Sequence, residues 1–372
     1  MVKNKLQIEL QNTRQSNVEA LRIIAMLMIV AHHFVVHSGF IFPDGAITIN
    51  RLWLKLISIG GKIGVDVFVL ISGYFLVSAH SFKTEKAIKL WVEIWLYSVA
   101  IYLAFTVTGK IPFSINTFIK AVAPITFNEW WFARAYFILY LLTPFINRML
   151  NAFDKNLYLR FLLLVFIIWS VLPVFTQQSF LSNDLIWFIT IYALGGYIRL
   201  HLTRINQEGV KLLGIAAICI VMTFLLSGMF DVIGLRNAFM AHYSTILYEM
   251  YSPLILGIAV LIFAGFLNLD LGSNRIINAI SSATFGVYLL HDSNYVRPFL
   301  WRTILHSASY AQSKALIPYS LLVIVAVFII CTLIELGRIH IIEKSLMPVI
   351  SKVSLLIDSF KVRLISKLMN SI

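Results

Sequence analysis

The stretch NVEALRIIAMLMIVAHHFVVHSGF (residues 17–40) decides the fold. Its middle is apolar over the ~20 residues that a helix needs to cross a bilayer. Yet it carries Glu19 and Arg22 near its start and His32, His33 and His37 near its end. Lipid penalises such groups, so ionisable residues kept inside a span are functional candidates. On an α-helix the step from Arg22 to His33 is three turns plus about 20°, a rise of roughly 16 Å. The two residues therefore share one face, with Arg22 near a membrane boundary and His33 near mid-membrane. His32 is turned about 100° away, and His37 lies one turn beyond His33 on a neighbouring line. Alone, an arginine there can snorkel to headgroups, and a histidine can serve as a helix-packing hydrogen bonder. Aligned across half a bilayer, the pair reads as the wall of a polar path.

The rest of the chain agrees that the solvent is lipid. Of 372 residues, 59% are hydrophobic and 13% charged, about half the charged share of a soluble domain. Ten apolar runs fall near 18–38, 57–78, 90–108, 130–149, 158–176, 184–200, 211–230, 251–268, 278–296 and 316–337. The expected fold is all-α and polytopic, with about ten transmembrane helices in one domain over 1–372. A polar lead (1–16) and a basic tail (338–372) flank it. With the amino terminus inside, twenty of the thirty Lys and Arg fall on cytoplasmic segments. These are Lys3, Lys5, Arg14, Arg22, Lys83, Lys86, Lys89, Arg148, Lys155, Arg160, Arg199, Arg204, Lys211, Arg275 and six beyond residue 337. That bias puts both termini in the cytoplasm. The tail LLIDSFKVRLISKLMNSI alternates apolar and basic positions at helical spacing, which suits the inner leaflet.

The formal charge of +13 is explained by this topology and by anionic headgroups, not by nucleic acid. Cys219 and Cys331 sit in apolar runs without metal-ligand spacing, so no metal is expected. The first apolar run is too long for a signal core and is expected to stay as an anchor.

Three further constellations stand out. Lys62 and Asp66, in GGKIGVDVFVLISGYFLV, are four apart and able to pair on one helix face. Alternatively, Asp66 faces the His33 cavity and orients its ring, as the carboxylate does in hydrolase triads. Glu129, Trp130, Trp131 and Arg134 crowd one interface, where Trp pairs usually form an aromatic belt. With Trp131 as a stacking face, Glu129 and Arg134 could bind a sugar. His291 and Asp292 end an apolar run, as a helix end reaching water would.

The chain resembles the acyltransferase-3 family of bacterial membrane acyltransferases, which modify surface polysaccharides. Four pieces carry the resemblance in the family's order: EALRIIAMLMIVAHH with Arg22 and His33, GVDVFVLISGYFLV, WWFARAYFILYLLTPFINRM and SSATFGVYLLH. They cover most of the chain. The resemblance implies ten spans with both ends cytoplasmic in the bacterial plasma membrane. It implies a cytoplasmic acyl-CoA donor, usually acetyl-CoA, and as acceptor a hydroxyl on a cell-surface or lipid-linked glycan. It maps the essential histidine onto His33 and its basic partner onto Arg22. Many members have His just before the aromatic pair, where Glu129 stands here. Some carry an added esterase-like domain, which is not expected within a chain of this length.

The residues suit that chemistry. A neutral His33 takes the hydroxyl proton or is itself acylated. Arg22 offers a bidentate fork to the CoA phosphates. His33 and Asp66 are thus the candidate catalytic pair, Arg22 the donor-side residue, and Glu129, Trp131, Arg134 and His291 the acceptor-side set. Two other classes share the pattern. A transporter of polysaccharide or lipid-linked sugar would move substrate without consuming acyl-CoA. A non-catalytic assembly partner would tolerate His33→Ala.

Overall fold

The computed structural model describes residues 16–43, 47–79, 81–202 and 208–369. Lys3, Lys5, Arg14 and Arg204, counted above in the charge bias, lie outside them, as do the first fifteen residues of the polar lead and the last three of the tail. Among the described residues the secondary structure is helical throughout, with no strand. Five helical segments are long and apolar enough to cross a membrane: Ser16–His37, Thr84–Val107, Lys155–Thr176, Gly209–Gly234 and Leu316–Leu364.

In chain order the main helices are α1 (Ser16–His37), α2 (Ile49–Leu76), α3 (Thr84–Val107), α4 (Ile115–Val122), α5 (Trp131–Ala152), α6 (Lys155–Phe166) and α7 (Asp184–His201). They are followed by α8 (Gly209–Gly234), α9 (Ala238–Ile246), α10 (Pro253–Leu267), α11 (Arg275–Ser282), α12 (Thr284–His291), α13 (Leu316–Arg338) and α14 (Lys344–Met369). Several start where a side-chain oxygen takes up unpaired first-turn amides. Thr48 caps α2, Asp154 caps α6, Asn183 caps α7 and Asn274 caps α11. Helix α6 runs on through a π-turn at Ile167–Val171. Pro173, two residues further, has no N–H for a regular ladder.

Two apolar runs differ from the helices they become. The second begins at Ile49 rather than 57, so α2 is 28 residues long. The ninth is divided at Ala283 into α11 and α12. In both cases a window averaging apolarity cannot see where caps and breaks fall.

Helix α2 is the central element, with α1 on one side and α7 on the other. Lipid supplies no hydrophobic drive between helices, so close backbone approach matters. At Gly61 a Cβ would overlap the His32 imidazole, and at Gly73 one would overlap the Tyr192 carbonyl. The two glycines let α2 touch both neighbours. The Ser16 end of α1 is tied down by the Asn17 amide, which donates to the carbonyls of Phe266 and Leu269 at 2.8 and 3.0 Å. Ser281 donates to the buried Glu19 carboxylate there.

A buried ionic cluster fastens α3, α13 and the turn before α14. Arg338 forks onto Glu335 at 2.8 and 2.7 Å, and reaches Glu343 at 2.9 Å and Glu93 at 3.3 Å. Lys89 pairs with Glu343 at 2.5 Å, and Tyr97 donates to Glu335. Removing one partner of such a cluster leaves buried charge uncompensated, at a cost of about 3–5 kcal/mol. Arg338→Ala is therefore expected to lower the thermal midpoint in detergent strongly, read by fluorescence-detected size exclusion after heating; an unchanged midpoint would count against this role. The tail helix α14 docks beside it: Thr84 donates to Asp358 at 2.5 Å, and Ser351 to Glu85 at 2.8 Å.

Candidate functional site

The site forms where the His37 end of α1 meets the last turn of α12. His291 closes α12, and its Nδ1 donates to the Val287 carbonyl one turn back, at 2.5 Å. That bond puts the His291 proton on Nδ1 and leaves Nε2 an acceptor. His33 Nδ1 lies 2.9 Å from that Nε2, although the two residues are 258 positions apart in sequence. His33 is therefore the donor in this bond, which leaves the lone pair on its own Nε2. The chain from Val287 to His291 to His33 fixes two tautomers in series.

The charge beside this pair comes from Asp292. Its carboxylate lies 3.6 Å from His33 Nδ1, 3.3 Å from His37 Nε2 and 2.9 Å from Arg297 Nε. Arg297 also donates to the Asp292 backbone carbonyl at 2.8 Å. Asp292 and His291 are almost wholly buried, at 2% and 0% exposure. One arginine and two histidines thus surround one buried carboxylate, which suits a site that must accept and release a proton. Nitrogens of His33 and His37 and an oxygen of Asp292 lie within 4.8 Å of one another, a spacing that could hold a cation. Arg297 already occupies the carboxylate with positive charge, and His33 Nδ1 is engaged by His291. Both oppose a dication at that point.

Three cavities converge on the histidines or lead toward them. A vestibule of ≈ 260 Å³ is lined by His32, His33, His37, Lys62, Trp131 and Asp292. On the other side of His33 lies a gap of ≈ 30 Å³ walled by Phe68, Trp131, Phe132, Phe285 and Tyr288. Toward the opposite end, Phe132 stacks on Tyr136, which shares a hydrogen bond with Ser72 at 3.0 Å. One turn further along α5, Tyr140 borders a pocket of ≈ 570 Å³ that also holds Lys83, Lys86, Asn147, Arg148 and Asn151. Arg22 is half-buried at the same end, and its Nε is buried with no hydrogen-bond partner among the described residues. Lys83, Lys89 and Arg22 all lie within electrostatic range of Lys86. One end of the bundle is thus a basic mouth, and the other a histidine-lined vestibule.

Several sequence expectations are corrected here. The carboxylate beside His33 is Asp292, not Asp66. Asp66 is fully buried and turned to α7, where its Oδ1 accepts from Trp187 Nε1 at 3.2 Å. Helix α2 is flanked on two sides, and Asp66 falls on the side of α7. The ion pair of Lys62 runs to Glu249 at 3.4 Å rather than to Asp66. His291 is a buried partner of His33, not a helix end in water. Trp131 does line the vestibule. Glu129 instead accepts from Asn294, from its backbone at 3.3 Å and its side chain at 2.9 Å, bracing the turn after Asp292. Arg134 is exposed and borders none of these cavities. His32 donates to the Ser58 carbonyl at 2.7 Å and borders the vestibule. Asp292, His37 and Arg297 went unassigned in the sequence, although the doublet HD followed five residues later by arginine was the visible signal.

A family model described as an acyltransferase domain, acyltransferase-3, matches residues 15–336. Among curated proteins, the O-acetyltransferase OatA of Staphylococcus aureus is similar: in strains COL and MW2 it is 25% identical over 201 residues. That match covers 49% of this chain and 29% of the relative, so the chain spans under a third of the length of the curated relatives it matches. No solved structure matches this chain.

Proposed function

Because the chain belongs to the acyltransferase-3 domain family, we propose that it moves an acyl group, in the first instance acetyl, from cytoplasmic acyl-CoA to a hydroxyl of a cell-surface or lipid-linked glycan. The observation that carries this reading is the pair His33–His291 beside Asp292, set between a basic mouth and an open vestibule. The helix order supports ten passes of a bacterial plasma membrane, with α11 and α12 sharing one pass and both termini cytoplasmic. The Ser16 end is then the cytoplasmic end, where Arg22, Lys83, Lys86 and Arg148 gather. Phosphate groups of CoA are the anions that such a cluster suits.

In this mechanism His33 Nε2 accepts the proton of the acceptor hydroxyl. The hydroxyl oxygen bonds to the thioester carbonyl carbon, and the tetrahedral adduct collapses with loss of the C–S bond. His33 then returns its proton to the departing thiolate, so no net proton is gained or lost. While His33 carries the extra proton, Asp292 offsets its charge and His291 keeps the ring in place. Asp66 and Glu129 act here as packing groups, and Trp131 as a wall of the acceptor vestibule.

The reading is tested with purified protein in lipid nanodiscs supplied with acetyl-CoA, following both free thiol and acetylated glycan. Glycan passage without thiol release would point to transport instead. Arg22→Ala is expected to raise the KM for acetyl-CoA by about 10- to 100-fold, the equivalent of roughly 1.5–3 kcal/mol for a lost charged hydrogen bond. The acceptor KM should stay nearly constant; the reverse pattern would remove Arg22 from the donor side.

A further inference from the structure

Lys62 stands at the edge of the His33 vestibule. On the far side of this lysine lies a second cavity of ≈ 240 Å³, and Lys62 lines both. Each space alone is smaller than the roughly 300–1,000 Å³ of ordinary small-molecule sites, and joined they fall within it. The second cavity is walled by Trp169 and Tyr251, with Asn183, Asp184 and Glu249 at its polar edge. Trp187 closes its base and is itself pinned by the bond to Asp66.

We propose that this second cavity is an extension subsite for a neutral sugar, next to the sugar whose hydroxyl meets His33. The inference rests on the acyl-transfer reading and goes beyond it by making the natural acceptor at least a disaccharide. The chemistry of the walls carries it. Aromatic faces suit the C–H faces of a pyranose ring, while carboxylate and amide oxygens accept hydrogen bonds from its hydroxyls. Asp184 and Glu249 oppose an anionic group here, since like charges at contact distance repel. The Lys62 ammonium, 3.4 Å from Glu249, neutralises one of them and stands at the junction between the two sugars. Asn183 and Asp184, at the start of α7, are exposed, and with Ser179 and Ser182 of the loop ahead of them they form a solvent-facing rim of the cavity. A longer saccharide can therefore continue outward.

The test uses the full-length protein in nanodiscs with acetyl-CoA, measuring thiol release and acetyl ester formation. The acceptors are two matched series of one to four sugars, β-linked N-acetylglucosamine and β-linked glucose. The expected result is that kcat/KM rises about 10-fold from one sugar to two in the accepted series, the equivalent of one charged or two ordinary hydrogen bonds, and then levels off. Trp169→Ala and Asp184→Asn should each bring the disaccharide-to-monosaccharide ratio close to one. Because the readout is a ratio, a general loss of folded protein does not mimic it, and the conservative Asp184→Asn serves where Trp169→Ala fails to fold. A flat length profile, or an advantage that survives in both variants, overturns the subsite. Acetyl-CoA hydrolysis without transfer to either series also counts against it. Wild-type protein that neither hydrolyses nor transfers from acetyl-CoA would instead overturn the acyl-transfer reading.

Discussion

His33→Ala is expected to lower acyl transfer by about 10²- to 10⁴-fold, the usual worth of a positioned general base, in protein that still reaches the membrane. The Val287 carbonyl fixes His291, and His291 fixes His33 with its proton on Nδ1. Only Nε2 of His33 is then free to accept a proton. Alanine removes that base and also leaves the buried His291 Nε2 without its donor, a cost of about 1–3 kcal/mol in stability. His33→Asn separates the two effects, since its amide nitrogen stands where Nδ1 does and can still donate to His291 but offers no basic nitrogen. We expect the asparagine variant to recover thermal stability and not activity. Turnover near wild type in either variant would remove His33 from the chemistry.

Asp292→Asn carries the second-largest expected effect, a loss of roughly 10²- to 10³-fold, as when one preorganised electrostatic group is deleted. Three cationic or potentially cationic side chains, His33, His37 and Arg297, converge on this carboxylate. Neutralising it leaves Arg297 beside His33 without compensation just when His33 must take on positive charge. Asparagine preserves shape, so the fall should appear in kcat more than in the KM for acetyl-CoA. Asp66→Asn is the informative comparison. Its carboxylate meets Trp187 rather than His33, and its loss should be read in stability. If Asp66→Asn falls as far as Asp292→Asn, the assignment of the partner carboxylate is wrong.

What could be read from the chain alone follows helical geometry closely. The shared face of Arg22 and His33 needs only the pitch of one helix; in the structure His33 lines the vestibule, while Arg22 is half-buried toward the Lys86 end. Trp131 was legible for a similar reason, as an aromatic at the start of an apolar run. The partner of His33 was not, because no local period links residues 258 apart. The choice of Asp66 failed on the same ground. Its helix presents one face to α1 and another to α7, and nothing in GVDVFVLISGYFLV says which neighbour the aspartate meets. The ion pair of Lys62 with Glu249 shows the same limit, since spacing within one helix permits a pair that a distant loop then takes instead. Apolar runs located helices well but not their breaks, as Ala283 within the ninth run illustrates.

The gap beside His33, ≈ 30 Å³ and walled by aromatic rings, has room for one or two water molecules and none for a thioester arm. Under the proposed mechanism Phe132 or a neighbouring ring has to move aside for each incoming thioester and return once the thiol has left. A cell that stores energy as an ion gradient cannot tolerate a standing column of water through its boundary. Packed as they are, the rings act as a cork, which under the proposed mechanism would let reagents from opposite faces of the bilayer meet without a leak.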